Sequence, residues 1–267
     1  MVSKRKVLAV MRYAYPYLLR RGLCNMLFTW AQAVSYCYNQ NAKMIAPVWT
    51  RLTRIGPLLR GERYKRYYGG EFTNNGYVSG IRRWWLLHFN KGSIRTFRGM
   101  DGFFDPFIKN QKIIKEELSR IIAPSILLEV QRIVQEEPYV GVHVRRGDFV
   151  VAGLLTPDEW YIRAIEAALK SAADQGVDIH TIRVFTDGYP DEVAFISKAF
   201  MRHKVVVMKK APAIQDVLAM SNAVILVCTA DSTFSMWAVF LGQIPSVWRK
   251  GCRVPNLYLG EGRCLFV

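Results

Sequence analysis

The sequence contains no uninterrupted apolar run of about 18 residues, so no segment is expected to form a membrane-spanning helix. Its five cysteines (Cys24, Cys37, Cys228, Cys252, Cys264) are odd in number, scattered and never spaced Cys-x-x-Cys. That argues against a disulfide framework or a structural zinc site and fits a reducing cytoplasm. No Asp-x-Asp pair exists to hold a metal beneath a diphosphate, and the four histidines (His88, His143, His180, His203) lack ligand spacing. No metal is therefore expected. Also missing are a GxxxxGK(S/T) phosphate loop, a GxGxxG turn and a Gly-x-Ser-x-Gly nucleophile turn. Acidic residues are few, 21 against 37 Lys+Arg, for a formal charge of +16.

That charge is uneven. Residues 1–138 hold 23 basic and 9 acidic side chains, whereas residues 139–267 hold 14 and 12. Arg51 to Arg66 alone carries six basic residues and one acid, and Arg82-Arg83-Trp84-Trp85 mixes cations with indoles. Tryptophan beside arginine is common where a protein meets a membrane surface, so peripheral contact with anionic lipid is expected. The same charge would attract nucleic acid, but no RNA-binding signature or zinc-finger spacing accompanies it, and none is expected as a partner. Lys4-Arg5-Lys6 before Val7 to Tyr17 has the outline of a signal peptide. Arg12 interrupts the apolar part and no small-residue cleavage site follows, so secretion is not expected.

Half of the residues are hydrophobic, enough for one large or two modest cores. The carboxyl half alternates short apolar runs with helical spacing. Strands are predicted at Tyr139–Val144, Ile182–Phe185, Val205–Met208, Val224–Val227 and around Ser246–Trp248. Helices are predicted after Thr156-Pro157-Asp158-Glu159 (with Thr156 as N-cap) and over Asp191–Phe200, Ala213–Ser221 and Phe234–Leu241. Strict alternation implies an α/β fold with a parallel sheet covered on both faces. In the amino half a helix is predicted over Cys24–Asn39 and a strand over Lys43–Val48. Between Arg51 and Arg98 loops with one or two short helices are expected, and Asp105 to Glu137 is helical with a break at Pro124. Pro138 marks a domain boundary, giving domains of 1–138 and 139–267.

Four segments carry candidate chemistry. His143-Val144-Arg145-Arg146-Gly147-Asp148 ends an apolar strand in two guanidiniums, which are costly to desolvate unless an anion or carboxylate meets them. Arginine forks match phosphate oxygens two at a time, and open α/β sheets bind ligands at strand carboxyl ends. The block therefore reads as a diphosphate site, with Asp148 orienting a guanidinium or a substrate hydroxyl; surface ion pairs are the plainer alternative. Asp187, after Phe185-Thr186, is either a ribose or base acceptor or an ordinary Asp-Gly turn residue. Asp231-Ser232-Thr233 opens a helix whose unpaired N–H groups can cradle phosphate, beyond what N-capping alone needs. Gly22 and Asn25 open the first long helix and could bring backbone close to a substrate.

Together these blocks, with Asp231-Ser232-Thr233-Phe234-Ser235-Met236-Trp237-Ala238 and, more weakly, Phe97-Arg98-Gly99-Met100-Asp101-Gly102-Phe103-Phe104 and the Leu155 to Ala164 segment, resemble the bacterial α-1,2-fucosyltransferases, a glycosyltransferase family 11-like group. The resemblance runs from about residue 20 to 250. It implies a GT-B-like fold, two Rossmann-like domains facing a cleft, the carboxyl one binding GDP-fucose and the amino one the acceptor. It implies metal-independent, inverting transfer of L-fucose to the 2-hydroxyl of a terminal galactose in a surface glycan or lipopolysaccharide, at the cytoplasmic face of a membrane. By that resemblance Arg145 and Arg146 hold the diphosphate, His143 buttresses their loop, and Asp187 lies near the nucleotide. Ser232 and Thr233 contact the β-phosphate, and Asp148 is the first candidate for the base, ahead of Asp101 and Asp105. Members usually have Gly-Leu-Gly-Asn-Gln where this chain has Gly22-Leu23-Cys24-Asn25-Met26, so the departure falls on the acceptor side. Three other readings remain beside it: transfer of another GDP-sugar by the same scaffold, a non-enzymatic basic protein that binds membrane or nucleic acid, and an inactive relative, suggested by the altered amino motif.

Overall fold

A computed structural model describes residues 12–19, 22–49, 68, 70–147, 153, 155–260 and 263–267. The basic stretch Arg51–Arg66 and the base candidate Asp148 lie outside them.

Six parallel strands form the larger sheet: β4 (Tyr139–Val144), β5 (Thr181–Thr186), β6 (Lys204–Val207), β7 (Ile225–Val227), β8 (Ser246–Trp248) and β9 (Cys264–Phe266). Their order is β6-β5-β4-β7-β8-β9, so the chain winds outward from β4 in one direction and then, from β7, in the other. Helices α5 (Asp158–Asp174), α6 (Ala194–Ala199), α7 (Ala213–Met220) and α8 (Thr233–Gly242) make the connections. β4 is buried along its whole length, as a central strand covered on both faces should be. The alternation legible in the sequence is thus realised as an α/β fold of GT-B type.

Three local expectations need correction. Thr156 does not cap α5; Pro157 stands at the N-cap and no side-chain cap bond forms. The helix expected over Asp191–Phe200 divides into a 3-10 turn, Pro190–Val193, and the short α6. The final strand is β9, whose Cys264–Phe266 pairs with β8 and is too brief to show a pattern of its own.

In the amino half a three-stranded parallel sheet has the order β2-β1-β3, from β1 (Tyr13–Pro16), β2 (Lys43–Met44) and β3 (Ile94–Phe97). β1 is central, although its residues include two tyrosines and a proline. Proline is tolerated because it ends the strand. Tyr13 is buried and Tyr15 half-buried, and their hydroxyls reach polar partners: Arg82 donates to the Tyr13 hydroxyl at 3.4 Å and Arg83 to that of Tyr15 at 3.1 Å. The long helix α1 (Leu23–Gln40) packs on β1, and α2 (Gly80–Phe89), α3 (Gln111–Ile121) and α4 (Pro124–Glu136) complete this half.

The two sheets share a continuous apolar cluster. Phe28 of α1 meets Phe103, Phe104 and Trp237 edge-on at 4.8–5.6 Å between centroids, tying together α1, the loop after β3 and α8. Gln111, buried at the start of α3, donates to the carbonyls of Phe240 and Leu241, both at 3.0 Å, near the end of α8. These contacts cross from one sheet layer to the other and hold the carboxyl end of β4 opposite the beginning of α1.

Candidate active site

The strand order reverses between β4 and β7, and the carboxyl ends of strands at such a reversal are the usual ligand position in open α/β sheets. Thr229, fully buried just beyond β7, bridges the two strands. Its Oγ1 donates to the His143 carbonyl at 2.7 Å, accepts from the Arg145 backbone N–H at 3.1 Å and lies 3.0 Å from the Tyr161 hydroxyl. Sequence reasoning passed over this threonine. The signal was a lone hydroxyl at the end of the apolar run Ile225–Cys228.

The two arginines differ in their surroundings. The side chain of Arg145 is 28% exposed and its Nη1 lies 3.1 Å from Oδ2 of Asp187. Arg146 is buried: its guanidinium bonds to Asp158, donates to the Glu192 carbonyl at 3.2 Å and sits over the Phe195 ring at 5.7 Å. Each fork has a carboxylate partner, Asp187 for Arg145 and Asp158, at the start of α5, for Arg146. In the sequence Asp158 shows only as part of a helix start. Asp187 also accepts the Arg146 backbone N–H at 2.8 Å, so its carboxylate fixes the loop and aims Arg145. Gly147 permits that approach: a Cβ there would come within 2.3 Å of Asp187 Oδ2.

Opposite, α8 begins at Ser232, which is buried and makes no side-chain cap bond. Asp231, just before it, has φ +54°, a left-handed turn that aspartate tolerates. α1 begins the same way, at Gly22 with no side-chain cap. Thr233 Oγ1 and Asn25 Oδ1 are 3.0 Å apart, the hydroxyl donating, so the N-terminal turns of both helices meet. Helix N-termini favour negative charge by about 0.3–1 kcal/mol each. Arg145 belongs to the same neighbourhood: burial pushes the Cys24 thiol well up, and the nearby Arg145 charge opposes that shift.

His143 is buried beneath the rim, its Nδ1 2.7 Å from Ser235 Oγ and its ring 5.2 Å from that of Phe234. Burial first, and the Arg145 charge second, push the imidazole down to about 3. It is neutral near pH 7. Since the folded value lies below the ordinary 6.5, the stabilisation is complete above pH 6.5 and is lost as pH falls toward 3. Acidification should therefore destabilise the wild type more steeply than His143→Gln, by roughly 1.4 kcal/mol per pH unit. Parallel slopes in urea titrations between those limits would show that His143 protonates freely in the fold.

The loop after β3 lies along α1. Thr29 donates to the Gly99 carbonyl at 2.9 Å and Gln32 to the Asp101 carbonyl at 3.3 Å. Asn25, Thr29 and Gln32 are spaced four and three apart and share one helix face. Asp101 and Asp105 are both exposed on this loop. Two concavities of about 530 and 370 Å³ flank the amino-terminal sheet, one beside Lys43, Arg82 and Arg120, the other beside Trp49, Phe72 and Arg83. Neither is lined by Arg145, Arg146 or Asp187. Among the described residues no three His, Cys, Asp or Glu side chains cluster to hold a metal ion.

The model of glycosyl transferase family 11 matches residues 98–248, more than half of the chain. The chain belongs to glycosyl transferase family 11. A search of curated protein sequences finds no significant match. Solved structures similar in fold to this family 11 member include the fucosyltransferase NodZ from Bradyrhizobium, 15% identical, with a TM-score of 0.51 over 88% of this chain and 94% of that one. NodZ described as an α-1,6-fucosyltransferase and soaked with GDP-fucose gives 14% identity and a TM-score of 0.52, covering 88% and 93%. POFUT1 in complex with GDP gives 12% and 0.53, covering 96% and 98%. The matched family segment contains Arg145, Arg146, Asp187, Thr229 and Thr233 but not α1, so Asn25, which meets Thr233, lies outside it.

Proposed function

We propose that this family 11 member transfers L-fucose from GDP-fucose to the 2-hydroxyl of a terminal galactose, with inversion and without a divalent cation. The acceptor is a surface glycan or lipopolysaccharide intermediate at the cytoplasmic face of a membrane. One observation carries the reading: Arg145 and the uncapped starts of α1 and α8 converge where the strand order reverses. In this reading Arg145 and the Ser232–Thr233 turn hold the diphosphate, while Arg146 and Asp187 position the loop. The acceptor oxygen attacks C1 of fucose from the side opposite the diphosphate, and the C1–O bond breaks with its electron pair going to GDP. A carboxylate (Asp148, Asp101 or Asp105) takes the hydroxyl proton. Fixed cations and N–H donors stabilise the departing diphosphate's charge in the transition state. The motifs shared with α-1,2-fucosyltransferases support the linkage.

The test is a donor screen with GDP-fucose, GDP-mannose and UDP-galactose against a simple β-galactoside, reading released nucleotide and product linkage. Only GDP-fucose should turn over. GDP at about 100 times its dissociation constant should stabilise the fold by about 2.7 kcal/mol without added magnesium, and UDP should not. Equal, salt-sensitive stabilisation by any polyanion would overturn the reading in favour of a basic binding protein.

A further inference from the structure

Helix α2 presents apolar side chains outward. Leu86 is its buried residue and packs with Tyr13 and Ile45. Ile81, Trp84, Trp85 and Phe89 are 80%, 48%, 51% and 67% exposed. Their spacing of three, one and four places them on one broad stripe of a helix. Trp84 stacks at 4.8 Å with His88 and meets Phe89 at 5.5 Å, forming a preassembled aromatic patch. A patch of this kind on the surface marks an interaction site more often than a scattering of single residues does.

Its surroundings select the partner. No acidic residue stands between Glu71 and Asp101, whereas Arg82, Arg83, Lys91, Arg95 and Arg98 do. Arg82 on α2 and Lys91 just after it are exposed, whereas Arg95 and Arg98 lie over the rings of Tyr36 and Tyr17. A second copy of this chain would bring like charges together across the patch. An anionic lipid surface would neutralise them while admitting the indoles to the headgroup region, where tryptophan is favoured. We infer that α2 is a membrane-docking element, inserting Ile81, Trp84, Trp85 and Phe89 into an anionic bilayer while the flanking cations contact lipid phosphates. The helix lies in the interface plane with its Leu86 side on the protein. This deepens the membrane location proposed above, on which it rests; it does not depend on which sugar is transferred.

The experiment is co-sedimentation of the full chain with phosphatidylcholine vesicles, with and without phosphatidylglycerol. The wild type should partition onto the anionic vesicles and release at high salt. The double variant Trp84→Ala/Trp85→Ala should partition roughly tenfold less. Met201→Ala, at a residue 85% exposed in the other half of the molecule, should bind as wild type. Helical content and the GDP-induced melting shift should be unchanged in all three proteins, which separates loss of docking from loss of fold or of nucleotide binding. Equal binding by wild type and the double variant, or no binding by wild type, would overturn the inference. So would concentration-dependent dimerisation that the tryptophan substitutions abolish.

Discussion

Replacing Arg145 with alanine should abolish the GDP-induced rise in melting temperature and lower transfer by at least about 100-fold, the usual loss when one preorganised donor to a developing anion is removed. The argument rests on position. Arg145 is the partly exposed arginine of the rim, Asp187 aims it at 3.1 Å, and the starts of α1 and α8 meet nearby. Arg145→Lys should recover only part of the loss, because an ammonium keeps the charge without the planar fork. Arg146→Ala should act differently. Its guanidinium is held by Asp158 and the Glu192 carbonyl, so the variant should lose fold stability before it loses nucleotide affinity. Calorimetric titration of GDP into both variants decides the matter. Unchanged affinity in Arg145→Ala would remove the diphosphate from this rim.

Phe28→Ala should be strongly destabilising. The side chain is fully buried and contacts four aromatic rings: Phe103, Phe104, Phe107 and Trp237. Large-to-small changes at such sites cost about 3–5 kcal/mol, because neighbours from separate elements cannot collapse together into the void. In a chain of this size each kcal/mol lowers the melting temperature by roughly 2–4 °C. A fall of roughly 6–20 °C is expected in differential scanning calorimetry. The transition should remain single, since the cluster is shared by both sheet layers. A loss below about 1 kcal/mol would mean that the layers do not depend on this contact.

The carboxyl half was legible in the sequence because a parallel sheet buried on both faces demands short, nearly continuous apolar runs, and helices between them demand a different period. Val140, Val142 and Val144, then Ile182 and Val184, could scarcely have been anything else. The polar blocks that end these runs also marked the rim. The amino half was obscure for an equally physical reason. β1 is central yet carries Tyr13, Tyr15 and Pro16, and it becomes a strand through partners distant in the chain, Arg82, Arg83 and the residues of β3. Residue order determined the family's motifs and the α/β alternation, and composition determined the basic character of residues 1–138. Tertiary structure decided what each motif residue touches. Asp158 lies 12 residues beyond Arg146 and Asp187 41, while Asn25 lies 208 residues before Thr233. No local pattern relates groups so far apart. Only closure of the sheet and packing of α1 against α8 bring them together, and the same closure leaves Arg145 partly exposed at the rim and Arg146 buried.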